Sequence, residues 1–228
     1  MFADRWDAGE ILGRALEPYR NKGVVVLAIP RGGVIVGYQA AKHLNADFAT
    51  IVSRKLPFPD NPESGWGAIA EDGSLFTFPA AKNWLSDATR ERIIAEQKHE
   101  TRRRVMVYRK GRPLPELAGR TVILVDDGIA MGSTMRAAIE ACKKASAAKI
   151  VVATPVAGAD TAREIGRLVD KTVVLESPPY FHAVAQVYRH WHDVPDDEVI
   201  EVLEKWQKER RKKEKSNVTT DFMDFTDY

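Results

Sequence analysis

A chain of 228 residues with 44% hydrophobic and 29% charged residues has the make-up of a globular protein able to bury a sizeable core. A formal net charge of +2 is too small to imply a polyanion partner, and no apolar run approaches the roughly 20 residues of a membrane span. Cys142 is the only cysteine, which excludes an internal disulfide and argues against a cysteine-built metal site; with no secretory pattern in the first residues, the expected compartment is the cytoplasm.

Asp7 is placed to cap a first helix, because Ile11, Leu12, Ala15, Leu16 and Tyr19 follow at helical spacing before Gly23. Residues 24–29 form a continuous apolar run that reads as a buried strand, Pro30-Arg31-Gly32-Gly33 breaks it, and a helix is expected over 34–44. A second strand over 48–52 completes strand, helix, strand, the opening of a parallel sheet. Residues 56–73 are rich in Pro, Gly, Asp and Asn, which predicts a lid or binding loop within 54–80, with short strands over 66–70 and 75–78 as a hairpin alternative. A long polar helix over 86–108 and a connector over 111–119 lead to strand 121–125, helix 133–145, strand 149–155, helix 159–168 and strand 171–175. This winding predicts one α/β domain over 1–215, a doubly wound, mainly parallel sheet with helices on both faces. Aromatics after Glu176 announce a small hood over 176–195, followed by a terminal helix over 196–215 and a loosely ordered tail over 216–228. The basic run at 205–215 reads as a solvated helix end, so nucleic acid is not an expected partner.

The informative segment is Val122-Ile123-Leu124-Val125-Asp126-Asp127-Gly128-Ile129-Ala130-Met131-Gly132-Ser133-Thr134. A buried strand ends in two carboxylates, a loop with two glycines follows, and two hydroxyl residues open a helix. Ligands of parallel sheets bind beyond the carboxyl ends of strands. Amides at a helix start, with the positive end of its dipole, suit a phosphate, and glycines let the backbone come close to it. Carboxylates only accept hydrogen bonds, which suits the vicinal hydroxyls of a sugar. The spacing fits a ribose 5-phosphate. A Walker-type loop needs a lysine before Ser133, and a dinucleotide fingerprint needs three glycines in G-x-G-x-x-G spacing; both are missing.

This segment resembles the phosphoribosyl-pyrophosphate (PRPP) binding motif of type I phosphoribosyltransferases. With Phe2-Ala3-Asp4-Arg5 and Ile29-Pro30-Arg31-Gly32-Gly33, most of the chain is similar to a branch of that family whose base substrate is not established. The resemblance implies that Asp126 and Asp127 bind the ribose 2- and 3-hydroxyls, and that Gly128, Ile129, Ala130, Met131, Gly132, Ser133 and Thr134 bind the 5-phosphate. It implies a pyrophosphate loop at Pro30, Arg31, Gly32 and Gly33, often with an unusual cis peptide, and catalytic roles for Arg31, Arg54 and Lys55. Tyr180 and Phe181 fall where such proteins build the hood over the base, and stacking on a flat base or packing into the core are equally open readings for them.

Met131 departs from the threonine common there, and Ala130 replaces the aspartate of hypoxanthine-type enzymes. The implied activity is a magnesium-dependent transfer of ribose 5-phosphate from PRPP to a nitrogenous base, with release of pyrophosphate. Mg2+ is expected to be held mainly through PRPP, with no dedicated protein ligands, and homodimers are common in the family. The alternative is a non-catalytic regulator that binds PRPP or a nucleotide on the same fold. Arg102, Arg103, Arg104 and His99 read as helix-surface charge, and His182, His190 and His192 lack the companions of a metal site.

Overall fold

The computed structural model describes residues 1–223, and all their side chains but those of Glu63, Lys82 and 214–223. The first helix, α1 (Arg5–Ala15), is capped by Asp4 instead of Asp7. The Asp4 carboxylate accepts the Asp7 amide at 2.9 Å, and Asp7 Oδ2 accepts the Ala3 amide at 2.9 Å. Either acid can cap in sequence terms; the reciprocal bonding of two acids three residues apart settles the start three residues early.

The apolar runs become β1 (Val25–Ala28), β2 (Asp47–Thr50), β6 (Thr121–Val125), β7 (Lys149–Val156) and β8 (Lys171–Glu176), with α2 (Gly33–Leu44) between the first two. Between β2 and β6 lie β3 (Ser53–Phe58), β4 (Asn61–Ala70), β5 (Leu75–Thr77), α3 (Ala81–Trp84) and α4 (Asp87–Arg109). Helices α5 (Ser133–Lys144), α6 (Ala159–Gly166) and α7 (Asp196–Met223) complete the order.

The five strands pair in parallel in the order β2-β1-β6-β7-β8. Both faces are buried, which explains why the strands read as unbroken apolar runs. Val24, Val26, Ala28, Ile123 and Val125 pack with α1, α2 and α7 residues such as Leu12, Ile35, Leu44 and Leu203. Val25, Leu27, Val122 and Leu124 face the opposite way, onto Met135, Ile139 and Cys142 of α5 and Ile165 of α6. The doubly wound architecture is thus as expected. From β1 the chain winds outward to β2, then returns to the far side of β1 as β6. The carboxyl ends of β1 and β6 therefore lie side by side at a topological switch point.

The expected lid is a second sheet. Strands β3, β4 and β5 form an antiparallel three-stranded unit, with register shifts around Pro57. Leu56, Trp66, Ile69, Ala81 and Ile93 give it a small core of its own, and Trp66 donates to the Pro57 carbonyl at 3.2 Å. The Pro, Gly and Asn content marked turns and a bulge, while the apolar residues between them carried a sheet.

Residues 176–195, the expected hood, carry one short 3-10 helix, Val184–Val187. Phe2 donates to the Val187 carbonyl at 2.7 Å and accepts from the Arg189 amide at 2.9 Å, so the segment braces the chain start. Helix α7 runs to Met223, past the expected end at Lys215, because no glycine or proline interrupts 196–223. The rest of the expected tail, 224–228, lies outside the described residues. Among the described residues no helix is long and apolar enough to cross a membrane.

Candidate active site

At the switch point, β1 ends in Pro30-Arg31-Gly32-Gly33 and β6 in Asp126-Asp127, and the two ends touch. The Pro30–Arg31 peptide bond is cis. A Cβ on Gly32 would stand 1.9 Å from Asp127 Oδ2, and one on Gly33 would stand 2.9 Å from Asp126 Cα. Only glycines let this turn lie against the acid pair. Asp127 receives Arg5 Nε on Oδ2 at 2.7 Å, while its carbonyl accepts Tyr188 Oη at 2.6 Å. Asp126 Oδ1 accepts the Asp127 amide at 2.9 Å.

The loop after the acids is tied down on several sides. The Ile129 amide donates to the Val156 carbonyl at 2.8 Å, and Thr161 Oγ1 donates to the Ala130 carbonyl at 2.8 Å. Ser53 Oγ donates to the Thr134 carbonyl at 2.9 Å, fixing the helix start to β3. Gly132 precedes α5 in the left-handed region at φ 72°, and no side chain caps the helix. The first-turn amides of α5 and the positive end of its dipole therefore point out of a rigid turn, the arrangement that takes an anion. Met131 is 66% exposed at the tip, and its side chain offers that anion no donor.

Above the loop lies a cleft of about 580 Å³. It is lined by Asp126 and residues 128–134, by Val184 packed against Gly128, and by Lys55, Phe58, Phe78 and Trp84. The Phe58 and Trp84 rings meet at 5.6 Å between centroids. The aromatic wall thus comes from the small sheet and α3. Neither Tyr180 nor Phe181 lines the cleft: Tyr180 is 88% exposed, and Phe181 takes the packing alternative, against the Phe2, Val187 and Tyr188 cluster. Of residues 176–195 it is Val184 that lines it.

Positive charge gathers beside it. Arg54 Nε donates to Gln97 Oε1 at 3.2 Å, and burial, then the nearby Arg104 and Arg31 guanidiniums, hold its pKa below the usual arginine value. Arg104 is not surface charge: it is buried and donates to Glu100 Oε1 at 3.0 Å. The signal was available, since Ile93, Gln97, Thr101, Arg104 and Tyr108 follow one another at spacings of four and three along α4 and share its inner face. Arg102 and His99 are exposed, and Arg103 pairs with Glu100 and Asp196. Arg5 was likewise missed as a site residue, although it stands in a quoted motif. Among the described residues no group of three or more His, Cys, Asp or Glu is arranged to hold a metal ion.

Burial, reinforced by the neighbouring Asp127 charge and opposed by Arg5, pushes the Asp126 carboxyl well above its ordinary value of 3.8. A carboxyl raised on folding stabilises the fold only while protonated; that contribution is complete below the ordinary value and disappears as pH rises through the raised one. At neutral pH, above the ordinary value, the Asp126 carboxyl therefore works against folding. Asp126→Asn is expected to raise Tm at pH 7–8, by roughly 2–4 °C per kcal/mol relieved for a chain of this size, and to change little near pH 4. Thermal melts at the two pH values check this; a fall in Tm at pH 7–8 contradicts it.

Comparison with known proteins shows the family. A profile of the phosphoribosyl transferase domain matches residues 7–189, and the chain belongs to the phosphoribosyl transferase family. The crystal structure of TT1426 from Thermus thermophilus is 36% identical and superposes with a TM-score of 0.76, covering 90% of this chain and 98% of that one. Rv0571c of Mycobacterium tuberculosis H37Rv and MT0597 of strain CDC 1551, both provisionally named phosphoribosyl transferases, are 39% identical over 207 residues. Those alignments cover 90% of this chain and 47% of each relative, so the chain spans about half the length of the curated relatives it matches.

Proposed function

We propose that the protein transfers ribose 5-phosphate from PRPP to a flat nitrogenous acceptor and releases pyrophosphate. The observation that carries this is the contact between the Gly32-Gly33 turn and the Asp126-Asp127 pair, directly beside an uncapped helix start. Asp126 and Asp127 accept the two ribose hydroxyls, and the amides of 128–134 with Ser133 and Thr134 hold the 5-phosphate. The Arg31, Gly32 and Gly33 turn, with Arg54 and Lys55, receives the pyrophosphate. As the bond from C1 to the pyrophosphate oxygen lengthens, negative charge grows on the leaving group, and preplaced cations and amides oppose it at no cost in reorganisation. Phe58, Phe78 and Trp84 give the acceptor apolar walls and keep water from the electron-poor sugar.

The donor set fits a metal carried in by the substrate: carboxylates are few, and PRPP brings its own oxygens, to which a magnesium ion would add charge neutralisation. The cytoplasm, which supplies PRPP, is the fitting compartment.

Met131 at the phosphate loop favours a second reading, a regulator that binds PRPP without turning it over. Incubating the full chain with PRPP, Mg2+ and a panel of bases while following pyrophosphate separates the two. Base-dependent release is the expected result. Saturable binding with no release on any base would support the regulator and remove the transferase assignment.

A further inference from the structure

We propose that Arg5 is the positioning residue for Asp127, holding one carboxylate oxygen so that the other faces the ribose diol. The proposal rests on the reading of the acid pair given above and adds to it a residue 122 positions away in the chain.

The Arg5 residue is 4% exposed in the first turn of α1. Its guanidinium is fixed three ways: Nε donates to Asp127 Oδ2 at 2.7 Å, Nη1 donates to the His192 carbonyl at 2.9 Å, and Cζ lies 3.9 Å from the centre of the Trp191 ring. Two hydrogen bonds and a stack define both the position and the plane of a rigid fork. Asp127 cannot turn about its own side-chain bonds without breaking the first of them. Its backbone is held as well, by Tyr188 Oη on its carbonyl. Arg5 also reaches the glycine turn, since a Cβ on Gly32 would meet Arg5 Nε at 2.8 Å. A single side chain thus joins the chain start, the turn at 191–192, the glycine turn and the acid pair.

A buried ion pair is a weak source of stability, because desolvating two charges offsets most of their attraction. Fixing a direction is what this one does well. Nε takes Oδ2, leaving Oδ1 as the acceptor for a hydroxyl.

The test compares two ligands by calorimetry on the full chain: ribose 5-phosphate, and tetrahydrofurfuryl phosphate, which keeps the ring and phosphate but has no ring hydroxyls. The wild-type protein is expected to prefer the first. Arg5→Lys keeps the charge and loses the fork, and is expected to weaken ribose 5-phosphate binding about tenfold, the worth of one charged hydrogen bond, with tetrahydrofurfuryl phosphate unchanged. Equal weakening of both ligands would mean a merely structural role, and no weakening of either would mean none; each overturns the proposal. Should the lysine variant not fold, Trp191→Leu at a 38% exposed position removes only the stack. It is expected to reduce the preference about threefold, and an unchanged preference overturns the proposal equally. If the wild-type protein shows no preference for the diol, the acid-pair reading itself is wrong, and the role of Arg5 goes with it.

Discussion

Replacing both Asp126 and Asp127 by asparagine is expected to weaken PRPP binding by about 100-fold or more, since two charged hydrogen-bond partners are removed at roughly 1.5–3 kcal/mol each. Asparagine keeps an acceptor oxygen and nearly the same volume, so the loss reports charge and not packing. Stability changes in opposite directions for the single substitutions, which guards against mistaking unfolding for lost affinity. Asp126→Asn relieves a half-buried carboxyl crowded by Asp127, whereas Asp127→Asn leaves Arg5, 5% exposed in its side chain, without its carboxylate partner. A double variant that is folded and binds as the wild type does would remove the diol site. Fluorescence or calorimetric titration with PRPP and Mg2+ provides the measurement.

The second large effect is expected at Gly32. Its backbone lies in the ordinary right-handed helical region, at φ −59° and ψ −34°, so alanine would meet no conformational obstacle there. The obstacle is space: the added methyl would sit 1.9 Å from Asp127 Oδ2 and 2.6 Å from its Cγ. Either the acid moves, breaking its pair with Arg5, or the glycine turn lifts away from the end of β6. Both outcomes separate the anion-binding turn from the diol acids. Gly32→Ala is therefore expected to lower PRPP affinity by at least about tenfold and stability by about 1–3 kcal/mol. Gly158→Ala is the control, because its φ is −61° and the nearest atom to the new methyl, Phe181 Cδ1, is 3.6 Å away. That variant should bind as the wild type does and melt within a few degrees of it. Equal behaviour of the two alanine variants would contradict the close-contact account.

Much of the fold was legible because its signals are local. Residues 121–125 and 133–144 could be placed almost to the residue: a strand buried on both faces is a plain apolar run, and a glycine followed by Ser133 and Thr134 marks a helix start. The acid pair, the loop after it and the glycine turn could be placed at one sheet edge, because parallel winding sends every strand end to the same side. What escaped depends on contacts between distant residues. Whether Leu56, Trp66 and Ile69 sit in a loop or pair as a sheet depends on neighbours such as Ile93 that only the tertiary fold supplies. Tyr180 and Phe181 follow the last strand, where a hood is expected, yet the pairing of Phe2 with 187–189 draws that segment to the chain start. Arg104 was hidden in a run of three arginines, of which the helical phase buries just one. Arg5 could not be assigned at all without knowing that α1 begins against the end of β6.

The same contrast explains the shape of the site. Its anion-binding half is backbone, held by a strand end and a helix start, so its geometry follows from the fold class. The half proposed to take the acceptor is made of side chains on and beside an inserted sheet, where Phe58, Phe78 and Trp84 can change without disturbing the central sheet. On the proposed function, acceptor choice falls to the part of the chain least constrained by the architecture.

A crystal structure of the protein with ribose 5-phosphate tests the core of this account most directly. It should show the sugar hydroxyls on the Asp126 and Asp127 carboxylates and the phosphate on the amides that open α5. A phosphate seated away from residues 128–134, or a sugar ring with its hydroxyls turned from both acids, would contradict it.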